Sequence, residues 1–162
     1  TALAKVEGVL TALEIVLTDA KSEALAVYHA VGCLAALSLD PVMSVRIGAR
    51  EAVTHTVCAL LEDNKDTDRD VADNAAETLN NMLAVSEENR ALLRTDARVI
   101  NVLVDVSCTA EGDQGPAALH ATGALLELVK GSAEFREEIS KHPTVLGQLV
   151  RGLNVGGDKQ KE

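Results

Sequence analysis

The stretch "AAETLNNMLAVSEENRALL", residues 75–93, decides the fold because both of its halves recur elsewhere in the chain. The first half, AAETLNNM, has counterparts in AVGCLAAL (30–37) and ATGALLEL (121–128), which start 45 residues before and 46 residues after it. The second half, SEENRALL (86–93), matches SAEFREEI (132–139) at a spacing of 46 residues. Such a long period predicts a stack of similar helical units.

A third set of similar segments keeps the same period. Its members are VLTALEIVL (9–17), VTHTVCALL (53–61), VINVLVDVS (99–107) and VLGQLVRGL (145–153). Each period therefore reads as a short, a medium and a longer helix.

The expected helix positions follow from these segments and from the charged and breaker-rich stretches between them. Medium helices are expected near 5–18, 51–62, 98–108 and 144–153. Longer helices are expected near 22–38, 70–85 and 116–130, with Pro116 at a helix start. Shorter helices are expected near 44–50, 87–94 and 133–140.

The composition independently favours an all-α protein. Apolar residues make up 47% of the chain, yet it holds one Tyr, one Phe and no Trp, so its core must consist of Ala, Leu and Val. Ala and Leu are strong helix formers, and side chains this small suit closely packed helices. Only three prolines interrupt the chain.

The charge and the cysteines limit the partners and the compartment. A formal net charge of −10 repels nucleic acid and anionic membranes, and it favours a protein or peptide with a basic segment. The three cysteines form no CxxC pair and are odd in number, which favours a reducing, cytoplasmic or nuclear compartment. No apolar run is long enough to span a membrane, and no signal peptide is visible.

Two segments carry a resemblance to a known family: DNAAETLNNMLAVSEENRALL (73–93) and AALHATGALLELVKGSAEFREEI (117–139). They resemble armadillo repeats, whose third helix runs A-x-x-A-L-x-N-L and is followed by a short helix opening on x-E-N-R/K. The resemblance covers nearly the whole chain and is nearest to the armadillo regions of plant U-box ubiquitin ligases. It departs from the family pattern between the first and second helices, where the usual Gly is replaced by TDAR (95–98) and KHPT (141–144).

The resemblance implies an all-α, right-handed α-solenoid of about three and a half three-helix repeats. One armadillo-repeat domain is expected over residues 1–155, followed by a flexible polar tail over 156–162. Its repeat fragments are expected at about 1–40, 41–86, 87–131 and 132–155.

A polar column is the candidate binding site. His29, Asn74 and His120 occupy equivalent places in the three longer helices, each seven residues before the family's Asn position. In armadillo proteins these third helices line a concave groove that holds extended peptides. The resemblance therefore implies a protein-binding concave face formed by His29, Asn74, Glu77, Asn81, His120 and Glu127. The alternative is that these side chains only keep an exposed helix face hydrated.

Two patterns resemble metal sites and are interpreted otherwise. DTDRDVADNAAE (66–77) spaces its acids like an EF-hand loop, but Val71 stands where that loop needs Gly, so an acidic helix start is expected. His55 and Cys58 are three residues apart on one helix, but no third ligand is nearby in sequence. A buried Cys beside a surface His is the expected arrangement. No metal and no cofactor are therefore predicted.

The predicted function is a non-enzymatic scaffold for protein–protein interaction. No catalytic motif is recognisable, and the resemblance implies the substrate-recognition part of a U-box-type ubiquitin ligase, although no U-box lies in this chain. The Trp of nuclear-import receptors is absent, with Gly32, Glu77 and Gly123 at its places, which disfavours that role. The alternatives are a self-associating spacer and a module that regulates an Hsp70-type chaperone. A monomer is expected.

Overall fold

The computed structural model describes residues 2–108, 115–141 and 147. Within these residues the chain is all-helical and contains no β-strand. The helices are α1 (Ala2–Thr18), α2 (Ala24–Ser38), α3 (Pro41–Gly48), α4 (Glu51–Asn64), α5 (Arg69–Val85), α6 (Glu87–Leu93), α7 (Ala97–Ser107), α8 (Pro116–Val129) and α9 (Ala133–Ser140).

The all-α class is confirmed, and the expected medium, longer and shorter helices are present throughout the described part of the chain. The expected helix at 144–153 and the polar tail at 156–162 lie outside the described residues. The largest errors are the starts of α1 and α3, which were expected at 5 and 44 and lie three residues earlier, at Ala2 and Pro41. The early start of α3 has a visible cause. The Asp40 side chain accepts hydrogen bonds from the N–H groups of Val42 and Met43, and Pro41 takes the first helical position, so the helix begins a turn early.

Each of the short helices begins with a side-chain N-cap, and these caps recur at a constant period. Asp40, Ser86 and Ser132 lie 46 residues apart, and each accepts a hydrogen bond from a backbone N–H in the first turn that follows. These caps satisfy N–H groups that have no acceptor within their own helix. The repeat seen in the sequence is therefore also a repeat of helix starts.

Arginines repeat at the ends of the longer helices. Arg90 of α6 donates to the carbonyl oxygens of Leu83 and Ala84 at the end of α5. Arg136 of α9, 46 residues later, donates to the carbonyl of Val129 at the end of α8 at 3.1 Å. A cation at this position satisfies free carbonyls and interacts favourably with the helix dipole.

Helices three apart in chain order pack against each other. This produces one row of α1, α4 and α7, a second row of α2, α5 and α8, and a third row containing α3 and α6. Helix α5 is central, since it contacts α2, α3, α4, α6 and α8. The core between the rows consists mainly of buried Leu, Val and Ala side chains, as the composition predicts.

A buried asparagine joins the repeating units. The Asn89 amide nitrogen donates to the Ser44 carbonyl and hydroxyl oxygens at 3.0 Å and to the Met82 carbonyl oxygen at 3.1 Å. Its amide lies against the backbone of Gly48, where an added Cβ would stand 2.0 Å from Asn89 Oδ1. Gly48 is therefore required by a close approach between α3 and α6.

None of the helices within the described ranges is long and apolar enough to cross a membrane.

We expect Gly48→Ala to lower the free energy of unfolding by about 2–3 kcal/mol, because the new methyl displaces a buried amide that holds several hydrogen bonds. Urea unfolding followed by circular dichroism measures this change. Gly32→Ala is the matched control, since its Cβ would meet Asn74 at an ordinary 3.5 Å. Equal losses in both variants would show that the Asn89 contact does not set the cost.

Candidate protein-binding face

Helix α5 presents a polar face toward solvent between α2 and α8. The side chains on this face recur at spacings of three and four residues, which places them on one side of the helix. They are Asp70, Asp73, Asn74, Glu77, Asn80 and Asn81. The opposite side of α5 is buried and apolar apart from Thr78. We call the outward side of α2, α5 and α8 the three-helix face.

Two asparagine side chains of α5 contact helix α2. Asn81 Nδ2 donates to the Ala35 carbonyl oxygen at 3.2 Å, and the Asn74 side chain lies over Gly32. A Cβ at Gly32 would meet the Asn74 amide at an ordinary 3.5 Å, so this contact does not require a glycine. Both asparagines are thus partly buried, and Asn81 is a structural contact as well as a candidate binding residue.

A histidine and a further asparagine lie where α5 contacts α8. His120 Nε2 lies 3.6 Å from Asp73 Oδ1, and the Asn80 side chain lies against Gly123. The sequence analysis did not include Asp73 and Asn80 in the site. The signal for both was their helical spacing from Glu77, which puts all three on one side of α5.

The remaining predicted residues lie at the margins of the three-helix face. His29 on α2 is exposed, and its ring meets that of Tyr28 edge-on at a centroid distance of 5.1 Å. Glu127 near the end of α8 is largely buried, forming ion pairs with Lys130 and, at 3.7 Å, with Arg90. The structure therefore brings Asn74, Glu77, Asn81 and His120 together, while Glu127 is already engaged by two cations.

Asp73 is the electrostatically unusual residue of this face. Its Oδ1 atom is buried without a hydrogen-bond donor, because His120 stands beyond hydrogen-bonding distance. Burial raises the pKa of the Asp73 carboxyl, the His120 imidazole opposes the shift, and the Glu77 and Asp70 carboxylates add to it. A cation placed at this face would relieve the cost of the buried charge.

The acidic stretch at 66–77 is the start of a helix, as the sequence analysis expected. The Asp68 side chain accepts a hydrogen bond from the Val71 N–H, and α5 runs from Arg69 onward. The second half of the would-be calcium loop is thus rigid helix and cannot wrap around an ion.

His55 and Cys58 do not act together. Cys58 is fully buried, and burial raises the pKa of its thiol to about 12. His55 Nε2 instead lies 3.2 Å from Asp96 Oδ2 at the start of α7. Within the described ranges, no three His, Cys, Asp or Glu side chains are placed to hold a metal ion.

Comparison of this chain with protein-family models, with curated proteins and with solved structures finds no match.

We expect Asp73→Asn to raise the free energy of unfolding at pH 7, because it removes a charge that burial penalises. A carboxyl whose pKa is raised by folding binds protons more tightly in the folded state, so its cost appears as pH rises through the folded pKa. The gain should therefore shrink as pH falls toward the ordinary value of 3.8. Urea unfolding between pH 4 and pH 7 measures it, with exposed Asp66→Asn, which does not act on Asp73, as the control. A loss of stability at pH 7 would mean that the His120 contact outweighs burial.

We expect iodoacetamide to alkylate Cys33 in the folded protein and to leave Cys58 unmodified at pH 8. Cys33 is exposed, whereas Cys58 is buried with a strongly raised thiol pKa. Peptide mass spectrometry after labelling, with a urea-unfolded sample as the control, measures both sites. Equal labelling of the two in the folded protein would contradict the packing of α4.

Proposed function

We propose that this chain is a segment of an armadillo-type α-solenoid that binds another protein along the three-helix face and has no catalytic role of its own. Three features support the solenoid: the 46-residue period of helix caps, the arginines at the ends of α5 and α8, and the contacts between helices three apart. These are the properties of repeats that stack on their neighbours.

The observation that carries the binding proposal is the unpaired charge on α5. Asp70 and Glu77 form no ion pair with any basic side chain of the described ranges. Several acids on other helices are paired with basic side chains, for example Glu7 and Glu14 with Arg50, Glu87 with Arg94, and Asp105 with Lys65. Acidic groups left open beside a buried carboxylate form a surface that complements a cation.

The chemistry of the face favours an extended, basic segment of a partner protein. Carboxylates at Asp70, Asp73 and Glu77 attract Lys or Arg side chains. The amides of Asn74 and Asn80 have both donors and acceptors, which suits the N–H and C=O groups of a peptide backbone. The face is thus equipped to bind the backbone and the side chains of the same segment.

The pathway proposed is substrate recognition for a U-box-type ubiquitin ligase in the cytoplasm or nucleus. Its support is the resemblance of residues 73–93 and 117–139 to armadillo repeats of those ligases. The ligase activity itself would belong to a U-box outside this chain.

Exposed apolar side chains favour self-association as a second candidate function. Val9 and Ile15 on α1 and Val42 on α3 are each at least half exposed. Sedimentation velocity over a hundredfold range of concentration tests this candidate, because a monomer at every concentration argues against self-association.

We expect the double variant Asp70→Asn, Glu77→Gln to bind a Lys/Arg-rich extended peptide about fivefold more weakly than the native chain. Each lost charge removes up to about 1 kcal/mol of attraction. Fluorescence anisotropy with the labelled peptide measures binding, and a Gln-substituted peptide tests the need for basic side chains.

The control variant is Glu134→Gln, Glu137→Gln on α9, which makes the same change in net charge on exposed residues of another helix. It should bind like the native chain at 150 mM salt. Equal weakening in the two double variants would show that the peptide responds to net charge and that the three-helix face is not the site.

A further inference from the structure

A cleft lies away from the three-helix face, between the first turns of α4 and α7. We call it the α4–α7 cleft; its volume is about 570 Å³. The ends of α3 and α6 complete its walls. Its lining residues are Gly48, Ala49, Glu51, Thr54, His55, Leu92, Leu93, Thr95, Asp96, Ala97 and Arg98.

Helix α4 begins in this cleft without a side-chain cap. At the equivalent place 46 residues later, Asp96 caps α7 by accepting from the N–H groups of Arg98 and Val99. Arg50 takes that place before α4, and its guanidinium turns away to Glu7 and Glu14. The first N–H groups of a helix have no acceptor four residues earlier within it. The Val53 N–H donates to the Arg50 carbonyl, so the N–H groups of Glu51 and Ala52 remain available to a ligand.

The Thr54 hydroxyl is a second group in this cleft that has no hydrogen-bond partner. Its side chain lines the cleft and is 3% exposed, yet its hydroxyl oxygen has no hydrogen-bond partner. Thr56, Thr78 and Thr122, which lie in the same kinds of helix, each donate to the carbonyl four residues earlier. A buried hydroxyl without a partner is costly, and a ligand that accepts its hydrogen bond would remove that cost.

The opposite wall of the cleft offers acceptors. Asp96 keeps one carboxylate oxygen on the α7 N–H groups and the other 3.2 Å from His55 Nε2, and each oxygen can accept a further hydrogen bond. The Glu51 carboxylate stands at the rim with its side chain 86% exposed. Leu92, half exposed at the same rim, provides an apolar surface beside these polar groups.

We propose that the α4–α7 cleft binds a neutral carboxamide, presented by a glutamine or asparagine side chain of a partner protein. The carbonyl oxygen accepts from the α4 N-terminus and from the buried Thr54 hydroxyl, which rotates toward the cleft to meet it, and the amide NH₂ donates to the carboxylates of Asp96 and Glu51. The methylene stem packs on Leu92 and its apolar neighbours.

Charge selects the carboxamide over its two obvious rivals. A carboxylate would meet the like charges of Glu51 and Asp96. The basic groups of the cleft are already engaged by acids, Arg98 at 3.8 Å from Glu62 and His55 at 3.2 Å from Asp96. An ammonium group has donors alone and would leave the N–H groups at the start of α4 unsatisfied. This site uses helices of a different row from the three-helix face, so the inference does not depend on the proposed function.

The test uses N-acetyl-glutamine methylamide as the probe, with N-acetyl-glutamate and N-acetyl-lysine methylamides as charged counterparts. Methyl NMR of the full chain follows Thr54, Leu92 and Ala97 during titration. We expect saturable shifts of these methyl signals with the glutamine probe, at a dissociation constant on the order of 1 mM. The charged probes should bind at least fivefold more weakly.

Three variants separate the hydroxyl from its surroundings. Thr54→Val should weaken the glutamine probe at least fivefold while leaving Tm unchanged or raised by about 2–4 °C, because it removes a buried group without a partner. Thr54→Ser keeps a hydroxyl and should keep binding. Thr56→Val, on the same helix, removes a hydroxyl that is already bonded to Ala52 and should bind the probe normally.

The proposal is overturned if no probe shifts these signals, if the glutamate or lysine probe binds as tightly as the glutamine probe, or if Thr54→Val binds like the native chain. A Thr54→Val variant that loses both binding and stability also overturns it, since the hydroxyl would then be a structural group with a partner in the folded protein.

Discussion

The hydrogen bonds of the buried Asn89 amide hold the repeating units in register. Its nitrogen reaches the carbonyl of Met82 at the end of α5 and both oxygens of Ser44 on α3, which belong to the preceding unit. An amide in this position must be satisfied, because a buried donor without an acceptor costs more than the bond returns. One side chain therefore bonds α6 to both α3 and α5, and it restrains the helix that carries the polar face at its C-terminal end.

Much of the helical arrangement was predictable from the sequence because the signals are local and repeated. The spacing of AAETLNNM and its counterparts located the three longer helices, and the small residues indicated how closely they pack. The start of α3 was missed because a cap at Asp40 depends on a hydrogen bond that periodicity does not register.

The contacts between helices were not predictable in the same way. The position of Arg50 in the sequence did not indicate that its side chain pairs with Glu7 and Glu14, which are 43 and 36 residues away. The pairing of His55 with Asp96 has the same origin, since it depends on how α4 and α7 lie against each other. Within the candidate site, helical spacing placed Asn74, Glu77 and Asn81 on one side of α5. It did not show that Asn81 also donates a hydrogen bond to the α2 backbone. Nor did it show that Glu127 forms ion pairs with Arg90 and Lys130.

The arginines of α6 have a consequence for the cooperativity of the chain. Arg90 holds the end of α5 before it, while Arg94 donates to the Leu128 carbonyl at 2.8 Å and to that of Lys130, at the end of α8 after it. A helix of seven residues is too short to be stable alone, so α6 exists only while both neighbours are folded. In the nearest-neighbour description of repeat proteins, α6 contributes coupling energy in place of intrinsic stability. Loss of this short helix would therefore weaken the coupling between the units on its two sides, and the packing of α5 on α8 and of α4 on α7 would have to hold them together alone.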